Sequence, residues 1–290
     1  MVDLIKRVAR DFLDDDCPSM AAALAYYAVF AMPAVLYLLL AVVGWFVDPA
    51  SVQERIAQQF GGMLGSGTSA QIESMVQSAQ ARTSGGPIKI LLGVGALLLG
   101  ATGAFMQLQK ALNRAWEVKP DPKQGGVKVF LMKRVLSFGI ILTLAFLLLV
   151  SLGVSALLAA FGGYVGARLG GFPEIVLQLL QLAISFITIG TLFAVLFKVL
   201  PDAEIEWRDV WVGALVTTAL FIGGKFLIGY YLGRSNPGDA FGAAGTLAVL
   251  LVWIYYSSMI VLLGAEFTQV WATRRGAGIR PEKGAVRVAA

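Results

Sequence analysis

Six long apolar runs divide this chain of 290 residues, and they constrain its fold more than any other feature. Each run has about the 20 apolar residues that an α-helix needs to cross the hydrocarbon core of a bilayer. The sequence therefore predicts an all-α, polytopic membrane protein with six transmembrane helices. The predicted spans are 20–47, 88–112, 136–161, 175–200, 210–232 and 243–271.

The charged residues support this class and indicate an orientation. Only 14% of residues are charged and 58% are hydrophobic, whereas soluble domains carry about 25% charged residues. An even number of spans places both termini on one side, and most Lys and Arg residues fall on that side; only Arg55, Arg82, Arg168 and Arg234 lie in the loops on the other side. Because cytoplasmic loops are enriched in Lys and Arg, we expect an N-in, C-in topology. These residues flank spans, so the net charge of +5 does not predict a nucleic-acid partner.

Two segments flank the predicted membrane domain, which covers residues 20–272. In residues 1–19, Leu4, Ile5 and Val8 share one helical face, which predicts a short cytoplasmic helix in the membrane interface, followed by an elbow. The basic tail 273–290 is expected to be disordered.

The largest outer loop, 48–87, contains two capping boxes. Ser51-x-x-Glu54 and Thr68-x-x-Gln71 each place a hydroxyl three residues before a side chain that can satisfy free backbone donors at a helix start. Apolar residues follow at helical spacing. The loop is therefore predicted to form an extracytoplasmic helical hairpin between helices 1 and 2, acting either as a lid or as a packing cap.

Charged side chains inside the apolar runs are the main indicators of function. Such groups are expensive in a bilayer, so they usually face the protein interior and mark a pathway or an ion pair. From their depths in the predicted spans, we expect Glu266 to pair with Lys110 or Arg114, and Lys225 to pair with Asp239. Alternatively, these charges only fix the register of the helices.

Aromatic residues and one proline are further candidates for a site. Tyr26, Tyr27 and Trp253 either line a cavity or fill the core, whereas Trp207 is expected to be an interfacial anchor. Pro33 predicts a kink in the first span, because proline removes a backbone donor. Kinks of this kind occur in transporters and in static bundles alike.

Four segments together resemble the YihY/BrkB family of bacterial membrane proteins: AAALAYYAVFAMPAV, ALNRAWEV, VLPDAEIEWRDVWVGALVTTALF and FGAAGTLAVLLVWIYYSSMIVLLGAEF. The resemblance implies a six-span protein of the bacterial inner membrane, linked to envelope integrity, resistance to host killing and, for some relatives, export of lipids. A Leu-Phe-Pro pattern often found in span one reads Ala-Met-Pro here. The positions that match the family are Tyr26, Pro33, Asn113, Trp116, Pro201, Trp207, Gly242, Trp253, Gly264 and Glu266.

Enzymatic activity is not expected, although some members of this family have been called ribonucleases. The chain has no His and a single Cys, and its carboxylates are scattered between the two membrane faces. Metal-dependent phosphodiester cleavage needs clustered His and carboxylate ligands. No nucleotide-binding loop is present either, so we expect no metal and no cofactor.

Two functions fit these observations. The first is a transporter or flippase-like carrier of a lipid or amphiphile, with membrane lipids as partners. The second is a non-transporting scaffold that binds envelope lipid-transfer or assembly proteins. Small residues along span two permit a homodimer without requiring one.

Overall fold

The computed structural model describes residues 2–43, 74, 77, 102–121, 172–235, 245–276 and 278–288. The predicted third span, nearly all of the outer hairpin, Asp239 and Gly242 lie outside these residues. Among the described residues, helices account for most of the chain. They are α1 (Val2–Asp14), α2 (Cys17–Val43), α3 (102–115), α4 (Phe172–Val199), α5 (Trp207–Ser235) and α6 (Gly245–Arg274).

Three of these helices are long and apolar enough to cross a membrane, with qualifying stretches at Leu182–Val199, Trp207–Ile228 and Leu247–Arg274. A shorter apolar stretch, Cys17–Met32, lies in α2. The prediction of a helical membrane protein is thereby confirmed for the part of the chain that the structure describes. Helix α2 runs without interruption across Pro33.

Helix α1 packs against the C-terminal end of α6 through one face. Leu4 and Val8 are buried against Val270, with Phe267 and Trp271 beside them. The elbow predicted after α1 is short, because α2 begins three residues after α1 ends. At this elbow Asp16 has a φ of 55°, a left-handed conformation that Asp tolerates better than most residues.

Helices α5 and α6 pack so closely that two glycines are required at their contact. A methyl group at Gly264 would collide with Oγ1 of Thr217, and one at Gly213 would collide with Oγ1 of Thr268. Each threonine also donates a hydrogen bond of 2.7 Å to the carbonyl one turn earlier in its own helix, so Thr217 bonds Gly213 and Thr268 bonds Gly264. Gly264 therefore has a packing role, since small residues allow membrane helices to approach.

The C-terminal segment is ordered, which corrects the expectation that residues 273–290 are disordered. Strand β4 (Ala285–Arg287) pairs antiparallel with β1 (Val118–Pro120), and β3 (Arg280–Pro281) pairs antiparallel with β2 (Ala203–Glu204). Both partner strands lie in the connections that follow α3 and α4. The prediction was wrong for 278–288 because the tail has little local structure of its own and depends on strands far away in the sequence.

Candidate functional site

A cluster of polar side chains lies where α2 begins and where α3, α4 and α6 end. We call this cluster the polar layer. It comprises Asp15, Cys17, Asn113, Arg114, Glu117, Asp202, Glu266 and Gln269. The charge distribution of the sequence predicts this end of the bundle to be cytoplasmic.

Glu266 is the most deeply buried charged residue of the polar layer, with 1% of its surface exposed. Its Oε1 atom accepts a hydrogen bond of 3.4 Å from the Cys17 thiol. The carboxyl groups of Asp15 and Asp11 are close enough to act on it electrostatically. Among the described residues Glu266 has no ion pair, so the predicted pair with Lys110 or Arg114 is wrong.

Arg114 instead binds Asp15, with Nε and Oδ1 2.9 Å apart. Burial raises the pKa of the Asp15 carboxyl, and the Arg114 guanidinium partly offsets that effect. The elbow after α1 thus places a carboxylate between Arg114 and Glu266, which the depth of the spans did not reveal. Lys110 lies one turn earlier on α3, is exposed, and forms no ion pair within the described ranges.

Asn113 binds the connection after α4 through two hydrogen bonds to Asp202. Its Nδ2 donates a hydrogen bond of 2.9 Å to Oδ2 of Asp202, and its Oδ1 accepts one of 2.8 Å from the backbone N–H of Asp202. Gln109 Nε2 donates a further bond of 3.1 Å to Oδ1 of the same carboxylate. Pro201, buried directly before Asp202, begins the segment that Asn113 holds.

Glu117 connects the polar layer to the C-terminal strand. Its Oε1 accepts a hydrogen bond of 3.3 Å from Gln269 Nε2, and its Oε2 lies 3.9 Å from an Arg287 guanidinium nitrogen. Its backbone carbonyl accepts a bond of 2.8 Å from the N–H of Val288. The neighbouring Trp116 is buried, with its ring edge-on to Phe197 at 5.7 Å between centroids.

An apolar cavity of about 250 Å³ lies between α2, α3, α4 and α6, and we call it the crevice. Trp253, Ser257 and Val261 line it from α6, and Leu24 and Leu108 line it from α2 and α3. The Ser257 hydroxyl is buried and has no hydrogen-bond partner among the described residues.

The other predicted aromatic residues do not line the crevice. Tyr26 and Tyr27 are exposed on α2, and Tyr27 lies beside Gly103. Trp207 is exposed at the start of α5, with Lys198 Nζ 5.8 Å from the centre of its ring, as an interfacial anchor would be. Only Trp253 occupies the kind of position expected for a cavity residue.

Lys225 lies on α5 and is half-buried. It has no ion pair in the described part of the chain. Its predicted partner, Asp239, lies outside the described residues, so that pairing stays a prediction.

Sequence reasoning missed five members of the polar layer: Asp15, Cys17, Glu117, Asp202 and Gln269. Asp202 and Glu117 carried a usable signal, because they stand in the segments VLPD and NRAWE next to positions that were singled out. Asp15 and Cys17 lie in the segment 1–19, for which the sequence predicts only an interfacial helix and an elbow. They lie close to Glu266 because α1 packs against the end of α6, a contact that no local sequence pattern reveals.

Comparison with known proteins gives this arrangement a family context. A family model described as "Virulence factor BrkB" matches residues 8–289. The chain belongs to the BrkB family. The resemblance found from the sequence segments is confirmed over nearly the whole chain.

Several relatives of this BrkB-family chain are called UPF0761 membrane proteins. One from Pseudomonas paraeruginosa is 29% identical over 271 residues, which cover 91% of this chain and 61% of the relative. One from Alkalilimnicola ehrlichii is 26% identical over 283 residues, which cover 94% of this chain and 59% of the relative. The chain thus spans about three-fifths of the length of these relatives. No solved structure matches it.

Proposed function

We propose that this BrkB-family protein is a carrier of a lipid or another amphiphile. It crosses the bacterial inner membrane six times with both termini in the cytoplasm, serves envelope integrity, and catalyses no reaction. One observation carries the proposal: an apolar crevice and a buried polar layer are stacked along the same helices. An amphiphile has the same division into an apolar and a polar part.

The sequence positions give the distance along the helices between the crevice and the polar layer. On α6, Val261 lines the crevice and Glu266 follows five residues later, which corresponds to about 7.5 Å along a helix axis. On α3, Leu108 lines the crevice and Asn113 follows after the same interval. A bound amphiphile would thus have its tail in the crevice and its headgroup toward the polar layer.

The residues around the crevice and the polar layer have distinct roles in this proposal. The Ser257 hydroxyl supplies a hydrogen bond to an ester carbonyl of the tail, because a buried hydroxyl without a partner is unfavourable. Exposed Lys110 and half-exposed Arg114 attract an anionic headgroup at the rim. Glu266 serves as a gate or proton carrier, a common role of carboxyl groups inside transporters. Lys225 and Asp239 belong to the opposite end of the pathway.

A crevice-filling substitution tests the proposal directly. The measurement is translocation of labelled anionic and zwitterionic lipids in proteoliposomes, with and without a proton gradient. Ala28 lines the crevice, so Ala28→Phe is expected to reduce the protein-dependent rate at least tenfold. Leu220→Phe, at an exposed position on α5, is the matched control and should leave the rate unchanged. Equal rates for wild type and Ala28→Phe would refute a tail site in the crevice.

A scaffold for envelope lipid-transfer or assembly proteins is the second function, and a separate observation favours it. Within the polar layer, Asn113 binds Asp202, Arg114 binds Asp15 and Gln269 binds Glu117, while the C-terminal strands cover the connections around them. Such mutual pairing suits a rigid platform. Absence of translocation under every gradient, combined with co-purification of a defined envelope protein or of a homodimer, would favour the scaffold.

A further inference from the structure

Helix α1 has a second apolar stripe that no part of the described structure covers. Leu4 and Val8 are buried against α6, but Val2, Ile5 and Leu13 are 64%, 62% and 67% exposed. At 100° per residue these three positions fall within one sector of the helix, next to the buried sector. We call this sector the exposed stripe.

The packing of α1 indicates the depth in the membrane at which the exposed stripe lies. Leu4 and Val8 contact α6 around Val270, within the last turns of an apolar span that ends at Arg274. Trp271 lies there with its ring stacked on Phe267 at 6.1 Å between centroids. Tryptophan and basic residues at a span end mark the boundary between acyl chains and headgroups. Helix α1 therefore lies at the depth of this boundary.

Two basic residues border the exposed stripe on the side away from α6. Lys6 and Arg10 are one turn apart, exposed, and without an ion pair in the described residues. Arg7, by contrast, is 3.5 Å from the Asp11 carboxylate. An apolar stripe flanked by unpaired cations is the pattern of helices that bind the surface of a membrane rich in anionic lipids.

We propose that α1 is a lipid-binding element that inserts the exposed stripe among the acyl chains of an anionic leaflet and binds lipid phosphates through Lys6 and Arg10. The elbow after α1 carries Asp15, the partner of Arg114. A lipid-held α1 thereby fixes the position of a carboxylate beside Glu266. This surface is separate from the crevice and does not depend on transport.

Spin labels on the full chain in nanodiscs test the insertion. Nitroxides are attached at Ile5→Cys, on the exposed stripe, and at Asp3→Cys, on the charged side of the same helix; unsubstituted protein, whose Cys17 is buried, gives the background. The expected result is that the Ile5 label is more accessible to oxygen than to a water-soluble nickel chelate, with the reverse order at Asp3. Greater access of nickel at Ile5 would overturn the proposal. Low access to both reagents would indicate contact with another protein and would overturn it as well.

Lipid composition tests the anionic preference. The oxygen-to-nickel ratio at Ile5 should be at least twofold higher in discs with phosphatidylglycerol than in discs of phosphatidylcholine alone. Adding Lys6→Gln and Arg10→Gln should abolish that difference, whereas Arg280→Gln, an exposed basic residue in β3, should not. A ratio that is the same in both compositions would refute recognition of anionic headgroups.

Discussion

The thiol of Cys17 donates a hydrogen bond of 3.4 Å to Oε1 of Glu266, although the two residues are 249 positions apart. The contact joins the first turn of α2 to the C-terminal part of α6. The buried carboxyl group of Glu266 has no cationic partner among the described residues. That arrangement distinguishes Glu266 from the paired carboxylates around it.

Cys17 should react with thiol reagents only when the protein unfolds, because none of its surface is exposed. A membrane-permeant maleimide is expected to label less than a tenth of the native protein and all of the protein after denaturation. Labelling is measured by mass spectrometry. Rapid, complete labelling of the native protein would show that the start of α2 is not packed against α6 as described.

Gly264→Ala should destabilise the contact between α5 and α6, because the added methyl group collides with Thr217. Overpacking of this kind typically costs about 1–3 kcal/mol. Gly223→Ala is the control, since nothing lies within 4 Å of a methyl group at that exposed position of α5. Both variants are compared by the rate at which Cys17 becomes labelled under unfolding conditions, since labelling reports how fast the protein unfolds. Equal rates for Gly264→Ala and Gly223→Ala would contradict the close approach of these helices.

Asn113→Asp should disrupt the connection after α4, because it replaces a donor to Asp202 with a second carboxylate. Loss of one buried hydrogen-bond partner costs about 1–3 kcal/mol, and the repulsion adds to that. Protonation relieves repulsion between neighbouring carboxylates, so the defect should shrink as pH falls. Thermal unfolding in detergent at several pH values measures this. A defect that does not change with pH would argue against direct contact between the two side chains.

Asp15→Asn should change how stability depends on pH. Burial raises the pKa of Asp15 above its ordinary value of 3.8 in the folded protein, with Arg114 opposing the shift. The folded state therefore holds this proton to a higher pH than the unfolded chain does. The resulting stabilisation is present below the ordinary pKa and is lost as pH rises through the raised pKa.

The stability of the wild type relative to Asp15→Asn should accordingly fall as pH rises from 4 to 7. Thermal unfolding followed by tryptophan fluorescence measures both proteins in the same detergent. An opposite trend would show that the ion pair with Arg114 outweighs burial at this site.

The sequence predicted the long helices well because their apolar runs end at clear signals. The predicted spans 175–200 and 210–232 correspond to Phe172–Val199 and Trp207–Ser235, which are separated by the polar segment containing Pro201 and Asp202. Hydrophobic length is a local property, so it can be identified without knowing which helices pack together.

The polar layer was harder to predict because it depends on contacts between distant segments. Depth alone suggested Arg114 as a partner of Glu266, but the elbow after α1 brings Asp15 to Arg114 instead. The strands of the C-terminal segment are only two and three residues long, and they form only because connections after α3 and α4 pair with them. No local pattern specifies such pairing.

Translocation of labelled lipid by Glu266→Gln in proteoliposomes with a proton gradient tests the carrier most directly. Gln keeps the size and hydrogen-bonding capacity of the side chain but cannot carry a proton. Gradient-dependent transport should be lost, whereas Glu204→Gln, an exposed carboxylate in β2, should transport like the wild type. Thermal unfolding confirms that both variants are folded. Equal transport by Glu266→Gln and the wild type would contradict a proton-carrying role, and no transport by the wild type would contradict the carrier itself.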